Sequence, residues 1–499
     1  MPDRVAQQTI FQRRRCGVLL PITALPVKIP SKINRYGAFD SAYQFIDWAQ
    51  SAGITVWQLL PLGPTQSDRS PYLCLSSLAG NTDNIGLHWL QQSGLLKPCN
   101  SLMNNSACHA KSLEMAYTEF TQMSDNSSWH LQYHRFCAES QPWLDNFALF
   151  MALRSQQSNQ PWNRWPTELR DRHAKAVNRA QQTLYRPISR LKFYQFLFFK
   201  QWAEIRQYAH SKGIFLFGDM PLFVAYNSAD VWANRRYFKL EEDGLPLVVA
   251  GVPPDYFSPD GQRWGNPHYN WQTLQEDDFS WWIQRIRLHL QMYDLLRIDH
   301  FRGLESAFEI PASSNTAKQG HWQTAPGAAL LDALIKALPN LPLVAEDLGL
   351  ITPEVIALRH HFRLPGMAVL QFAFDSDDHN PYLPHNLNQN TVLYTGTHDN
   401  DTSLGWYLSL SDHQRTVVTD YLQSDIDNVP EALIEAALAS VARLVVLPLQ
   451  DMLRLNSEHR TNTPGTTCNN WLWHFEWPQL SIEVAQQYRA LNYVHNRCD

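Results

Sequence analysis

ISRLKFYQFLFFKQWAEIRQYAHSKGIFLFGD, residues 188–219, carries the reading of the fold. Ile188–Lys212 reads as a helix. Gly213 follows as its cap, glycine being the common residue where a helix end turns left-handed. Ile214–Phe217 is then a short apolar strand, closed by Gly218-Asp219. A helix, a glycine, an apolar run and a polar residue at its end make one unit, and the unit recurs. Phe39, Tyr43, Ile46 and Ala49 have helical spacing; Gly53 caps them, and Ile54–Leu60 is the strand. Thr352 and Pro353 open another helix as N-cap and first-turn proline. It stops before Pro365-Gly366, and Met367–Phe374 is the next run.

Working outward, eight such runs are found: Gly17–Leu20, Ile54–Leu60, Ile214–Phe217, Leu295–Ile298, Leu343–Ala345, Met367–Phe374, Thr391–Thr395 and Leu444–Leu449. They are nearly continuous in apolar character, as parallel strands covered on both faces require. Eight strands with helices between them predict an α/β protein, a (β/α)8 barrel of TIM type. The spacing is uneven: about 150 residues separate the second and third runs, and about 80 the third and fourth. Barrel sequence is therefore expected at 1–65, 186–220 and 294–499. The stretch 66–185 is expected to be a mainly helical insertion. The stretch 221–293, rich in Pro, Trp and Tyr, is expected to be loop-rich. About 50 residues follow the eighth run, too few for a C-terminal β-sandwich.

Composition bounds the function. With 44% hydrophobic and 18% charged residues, the 499-residue chain is globular rather than disordered. Its formal charge of −6 leaves no basic excess to neutralise phosphates, so nucleic acid is not an expected partner. Aromatics reach 12%, including 18 Trp; they fit either a large aromatic core or stacking on sugar rings. Seven cysteines, an odd number without zinc-like spacing, are expected to be reduced thiols in the cytoplasm. The apolar stretches Leu191–Trp202 and Ala436–Leu449 are interrupted by Lys200 and Arg443, so no membrane span is expected. Arg13-Arg14-Arg15 and the run to Pro26 look like a signal peptide only superficially. Pro21 and Pro26 break the run and no small-residue cleavage site follows, so a first strand is expected there.

Active sites of such barrels lie at the C-terminal strand ends. Four acidic residues stand there: Asp219 after the third run, Asp299 after the fourth, Glu346 after the fifth and Asp399 after the seventh. Several like charges in one cleft are costly without compensation, and Arg297, His300, Arg302 and His398 lie in the same motifs. A divalent cation would also use clustered carboxylates, but Arg297 and Arg302 would compete with it. A structural salt-bridge network is a further reading of any one motif. Asp347, beside Glu346, should point elsewhere and pair structurally. Two carboxyls with different tasks suit glycosidic chemistry, one a nucleophile held ionised and one an acid with a raised pKa. Asp299, two residues after Arg297, fits the first.

The motifs GDMPLFVAYNSADVW from Gly218, PPDYFSPDGQRWGNP from Pro253, RIDHFRG from Arg297, VAEDLG from Val344, LPGMAVLQFAFD from Leu364, YTGTHDND from Tyr394 and NTPGT from Asn462 resemble, in this order, the amylomaltases. These are the 4-α-glucanotransferases or disproportionating enzymes of glycoside hydrolase family 77, relatives of the α-amylase barrels. The resemblance runs from about Gly17 to Trp473. It implies Asp299 as nucleophile, Glu346 as acid/base and Asp399 as transition-state stabiliser. It implies Asp219, Arg297, His300 and His398 around the attacked glucose, with Tyr72 stacking on that sugar. Trp264 and Asn266 would come from a loop arching over the acceptor side, and Asp375 and Asn470 would complete the groove. The reaction implied is retaining transfer between α-1,4-glucan donors and acceptors, without cofactor or metal. A retaining hydrolase of the α-amylase type would use the same carboxylates; a non-catalytic glucan-binding protein would lack Asp299 or Glu346. The chain departs from the family pattern at LLPITALP from Leu19, at KIPSKINRYG from Lys28, at LCLSSLAGNTDN after Tyr72 and at Phe308.

Overall fold

The computed structural model describes residues 10–26, 37–97, 106–254 and 259–499. Most of KIPSKINRYG, and residues 255–258 of the PPDYFSPDG segment, lie outside the described residues.

Eight parallel strands form the centre: β1 (Arg15–Leu19), β2 (Val56–Gln58), β3 (Phe215–Pro221), β4 (Leu295–Asp299), β5 (Leu343–Ala345), β6 (Gly366–Val369), β7 (Thr391–Tyr394) and β8 (Leu444–Pro448). Their hydrogen-bonded order is β6-β7-β8-β1-β2-β3-β4-β5, the order of a (β/α)8 barrel opened at one seam. The seam is closed by isolated contacts rather than a ladder. The Ala345 N–H donates to the Pro365 carbonyl at 2.9 Å. The Asp347 carboxylate accepts the Met367 N–H at 2.7 Å and pairs with Arg359 Nε at 3.0 Å. Asp347 thus has the structural pairing expected of it.

All eight runs are strands because each is buried on two sides. Leu19, Val56, Phe217, Leu295, Val344, Met367, Val392 and Leu444 fill the barrel interior. Their neighbours Val18, Trp57, Leu216, Leu296 and Val445 point outward into the larger core beneath the helices. The helix Tyr185–Ser211 buries Phe193, Phe196, Leu197, Trp202 and Ile205. It packs along Ser128–Gln156, the longest helix of the 66–185 stretch.

The 221–293 stretch differs from the expectation of loops. It contains the helices Ala229–Ala233, Trp271–Glu276 and Ser280–Met292 and two strands, Val248–Val252 and Gln262–Pro267. These strands join Ser306–Pro311 and His321–Thr324, which follow β4, in an antiparallel sheet ordered Gln262–Pro267, Val248–Val252, Ser306–Pro311, His321–Thr324. One of the sheet's three pairings, Val248–Val252 with Ser306–Pro311, spans β4, so no local pattern announces the sheet. Trp264 therefore stands on a strand rather than on a free loop. Among the described residues, no helix is long and apolar enough to cross a membrane.

Candidate active site

The register of β3 on β4 places Asp219 opposite Arg297. Strand alternation puts Arg297 and Asp299 on one face. The buried Arg297 guanidinium consequently bridges two acids. Its Nη1 donates to both Asp219 oxygens at 2.8 Å, and its Nη2 lies 2.9 Å from Asp299 Oδ1. Tyr72 reaches in from the segment after β2 and donates its hydroxyl to Asp219 Oδ2 at 2.7 Å. Asp219 is buried, and its burial is tolerable because each oxygen is hydrogen-bonded.

Glu346 follows β5 directly. Its Oε2 accepts the His300 N–H at 2.6 Å and its Oε1 the Leu348 N–H at 3.0 Å. His300 sits in the left-handed backbone region, φ 56°, and this conformation aims its N–H at Glu346. Burial pushes the Glu346 carboxyl up to about 7; Arg297 and the two N–H donors oppose the rise and Asp299 adds to it. Burial likewise raises Asp299, to about 6, with Arg297 opposing and Asp219 adding. Both acids are held above ordinary carboxylates by desolvation, and Arg297 opposes the rise in each.

The His300 ring is driven down to about 3 by burial, with Arg302 and His268 adding to the effect, so it is neutral at physiological pH. Its Nε2 is buried and has no hydrogen-bond partner among the described residues. Trp264 stands edge-on to this ring, centroids 4.8 Å apart at 88°. The indole N–H of Trp264 donates to Gln262 Oε1 at 3.0 Å.

Asp399, after β7, is half-exposed, with His398 Nε2 3.4 Å from its Oδ1. His398 stacks on Tyr72 with centroids 5.0 Å apart, and its Nδ1 lies 3.4 Å from the Tyr72 hydroxyl. The structure therefore brings Tyr72, Asp219, Trp264, Arg297, Asp299, His300, Glu346, His398 and Asp399 into one cluster.

The remaining three positions make other contacts. Asn266 is buried and donates its amide to the Val224 carbonyl at 2.9 Å. Asp375 is exposed and accepts from Asn380 at 2.8 Å. Before it, β6 ends at Val369 and Leu370–Phe372 turn as a 3-10 helix. Asn470 staples its own loop, accepting the Thr463 N–H at 3.0 Å and donating to the Thr466 carbonyl at 3.0 Å.

Sequence reading missed several members. Trp471 packs against both Tyr72 and His398, each at 5.9 Å between centroids. Asn462 donates to Asp399 Oδ1 at 2.6 Å. Burial and the carboxylates of Asp347, Glu346 and Asp375 push the Tyr382 phenol up to about 12. The NTPGT motif at Asn462 and the expected Asn470 were the signals for the loop that carries Asn462 and Trp471. Among the described residues, no group of three or more His, Cys, Asp or Glu side chains could hold a metal ion.

A profile of the 4-alpha-glucanotransferase family matches residues 20–480. The chain is 44% identical to the 4-alpha-glucanotransferase of Synechocystis sp., over 98% of this chain and 99% of that one. It is 43% identical to the enzyme of the same name from Thermus thermophilus, over 96% and 98%. The fold superposes with a TM-score of 0.92 on an amylomaltase from Streptococcus agalactiae in complex with acarbose, at 33% identity, covering 98% of this chain and 100% of that one. With relatives matched end to end and a profile running from the close of β1 past β8, the chain belongs to the 4-alpha-glucanotransferase family, glycoside hydrolase family 77.

Proposed function

We propose that this enzyme transfers α-1,4-glucan segments between maltooligosaccharides by retaining double displacement. An Asp299 oxygen attacks the anomeric carbon and forms an ester bond, while the bond to the departing O4 breaks. Glu346 gives its proton to that oxygen. The 4-hydroxyl of a second glucan then attacks the same carbon, passes its proton to Glu346 and releases Asp299 as carboxylate. Two inversions retain the configuration.

The observation that carries this reading is the Arg297 bridge between Asp219 and Asp299. It supports an Asp299 that is mostly ionised at neutral pH beside a Glu346 that is about half protonated. The unpartnered Nε2 of His300 and the exposed Oδ2 edge of Asp399 support hydrogen bonding to the hydroxyls of the attacked glucose. Trp264, half-buried at the edge of the cluster, supports stacking of an acceptor sugar that excludes water. Buried thiols at Cys16 and Cys74 support a reducing, cytoplasmic setting. The product ladder from maltotriose tests the reading. Longer oligomers plus glucose are expected; glucose and maltose alone refute transfer and leave hydrolysis.

A further inference from the structure

Asp399 receives little from its own strand. Its N–H donates to Thr397 Oγ1 at 3.3 Å, and its side chain is 47% exposed. An exposed aspartate has free torsions unless something outside its segment sets them. The loop after β8 does so. Gln450 anchors that loop, donating to Thr461 Oγ1 at 2.8 Å and to the His459 carbonyl at 3.2 Å. Arg460 donates to the Asp399 carbonyl at 2.9 Å and to the Asn462 carbonyl at 3.3 Å. The Asn462 amide then donates to Asp399 Oδ1 at 2.6 Å, on the oxygen that also faces His398. No hydrogen bond from the described residues reaches Oδ2.

We propose that Asn462 is a positioning residue for glucan transfer: by occupying Oδ1, its amide holds the Asp399 carboxylate so that Oδ2 faces the hydroxyls of the attacked glucose. This rests on the transferase reading above. An amide is the fitting group because it donates at every pH and carries no charge. Lysine or arginine there would neutralise the carboxylate and weaken its hold on a sugar hydroxyl. A carboxylate would repel it.

The test uses Asn462→Ala and Asn462→Asp in the full chain, with maltotriose, across the pH range. In Asn462→Ala, kcat falls about ten- to a hundredfold, the range for losing a hydrogen bond to a charged group, while KM changes little. The fall relative to wild type is the same at every pH. Asn462→Asp sets two carboxylates at hydrogen-bond distance, where both cannot ionise. At low pH a shared proton replaces the amide hydrogen and kcat approaches wild type. As pH rises and that proton leaves, repulsion displaces Asp399 and kcat falls further. His398, Tyr72, Asp299 and Arg460 also face Asp399 and are present in both variants and in wild type.

A purely structural role predicts equal, pH-independent ratios for the two variants, or activity lost in step with melting temperature. Either result overturns the proposal, as does an Asn462→Ala kcat within twofold of wild type. If Asn462→Ala does not fold, the near-isosteric Asn462→Asp decides alone through its pH-dependent ratio. Product identity reports separately on the transferase reading, since the cleavage rates read Asn462 whether sugar or water is the acceptor. Absence of any cleavage by wild type overturns both.

Discussion

Replacing Glu346 with glutamine separates the two halves of the proposed reaction. The carboxyl is held by N–H groups of His300 at 2.6 Å and Leu348 at 3.0 Å. An amide accepts only one of them and turns its NH2 toward the other, so the side chain is held less firmly, and it cannot give a proton. General acid catalysis supplies roughly 10²–10⁴ in rate. Glu346→Gln should therefore slow cleavage of maltotriose by that factor, about 3–5.5 kcal/mol at 1.36 kcal/mol per tenfold. An α-glucosyl fluoride needs no proton on its leaving group. With it, Glu346→Gln should still glycosylate Asp299, and the adduct should accumulate because the second step lacks its base. The pH dependence carries the same signature. Activity requires Asp299 ionised, so it falls on the acid side as that group takes up its proton near 6. It requires Glu346 protonated, so it falls on the alkaline side as that group ionises near 7. The profile of kcat/KM is therefore bell-shaped, with its optimum between the two limbs. Fluoride release by Glu346→Gln should keep the acid limb and lose the alkaline one. Mass spectrometry reads the adduct and a fluoride electrode reads the limbs. An alkaline limb surviving in Glu346→Gln, no adduct on the folded variant, or an adduct on Asp299→Asn would refute the assignment.

Arg297→Lys replaces a fork that reaches Asp219 and Asp299 together by a single ammonium. Asp299 loses much of its counter-charge, so the acid limb of kcat/KM should move above about 6; an unmoved limb means that Arg297 does not tune the nucleophile. Trp264→Ala removes the proposed acceptor platform. Taking stacking as worth about 1–3 kcal/mol, it should lower the ratio of longer oligomers to hydrolysis products from maltotriose by at least several-fold. An unchanged ratio would return Trp264 to packing against His300. Asp347→Ala opens the β5–β6 seam by stranding Arg359 and the Met367 N–H. Breaking one side of such a buried pair costs about 3–5 kcal/mol. The urea midpoint should fall at constant slope, and a midpoint equal to wild type would show that the seam closes without it.

The barrel was legible because each strand is covered on both faces. That demand is local, and it writes itself into the chain as short unbroken apolar runs such as Leu444–Leu449. The acids were legible for a related reason: Asp219, Asp299, Glu346 and Asp399 each end or closely follow such a run, and strand ends of this fold converge. Local pattern failed where pairing crosses the chain. The sheet joining Val248–Val252 to Ser306–Pro311 has β4 between its halves, so 221–293 read as loops. The run Met367–Phe374 read longer than its strand, because the turn at Leu370–Phe372 continues the apolar character without continuing the strand.

By itself the sequence determined the architecture and the kinds of group at the barrel mouth, since burial and strand periodicity act on neighbours along the chain; the family was carried by the ordered motifs from Gly218 to Asn462. Only the tertiary structure decided which group holds which. Arg297 divides its guanidinium between two acids because β3 and β4 run in one register. Tyr72 meets Asp219 across 147 residues, and Asn462 meets Asp399 across 63. Trp471 closes over Tyr72 and His398 from a loop whose own pattern says nothing of them. Hydrogen bonds and ring contacts reach only a few ångströms, so which distant residues come within that reach is set by the packing of the whole barrel and has no period along the chain.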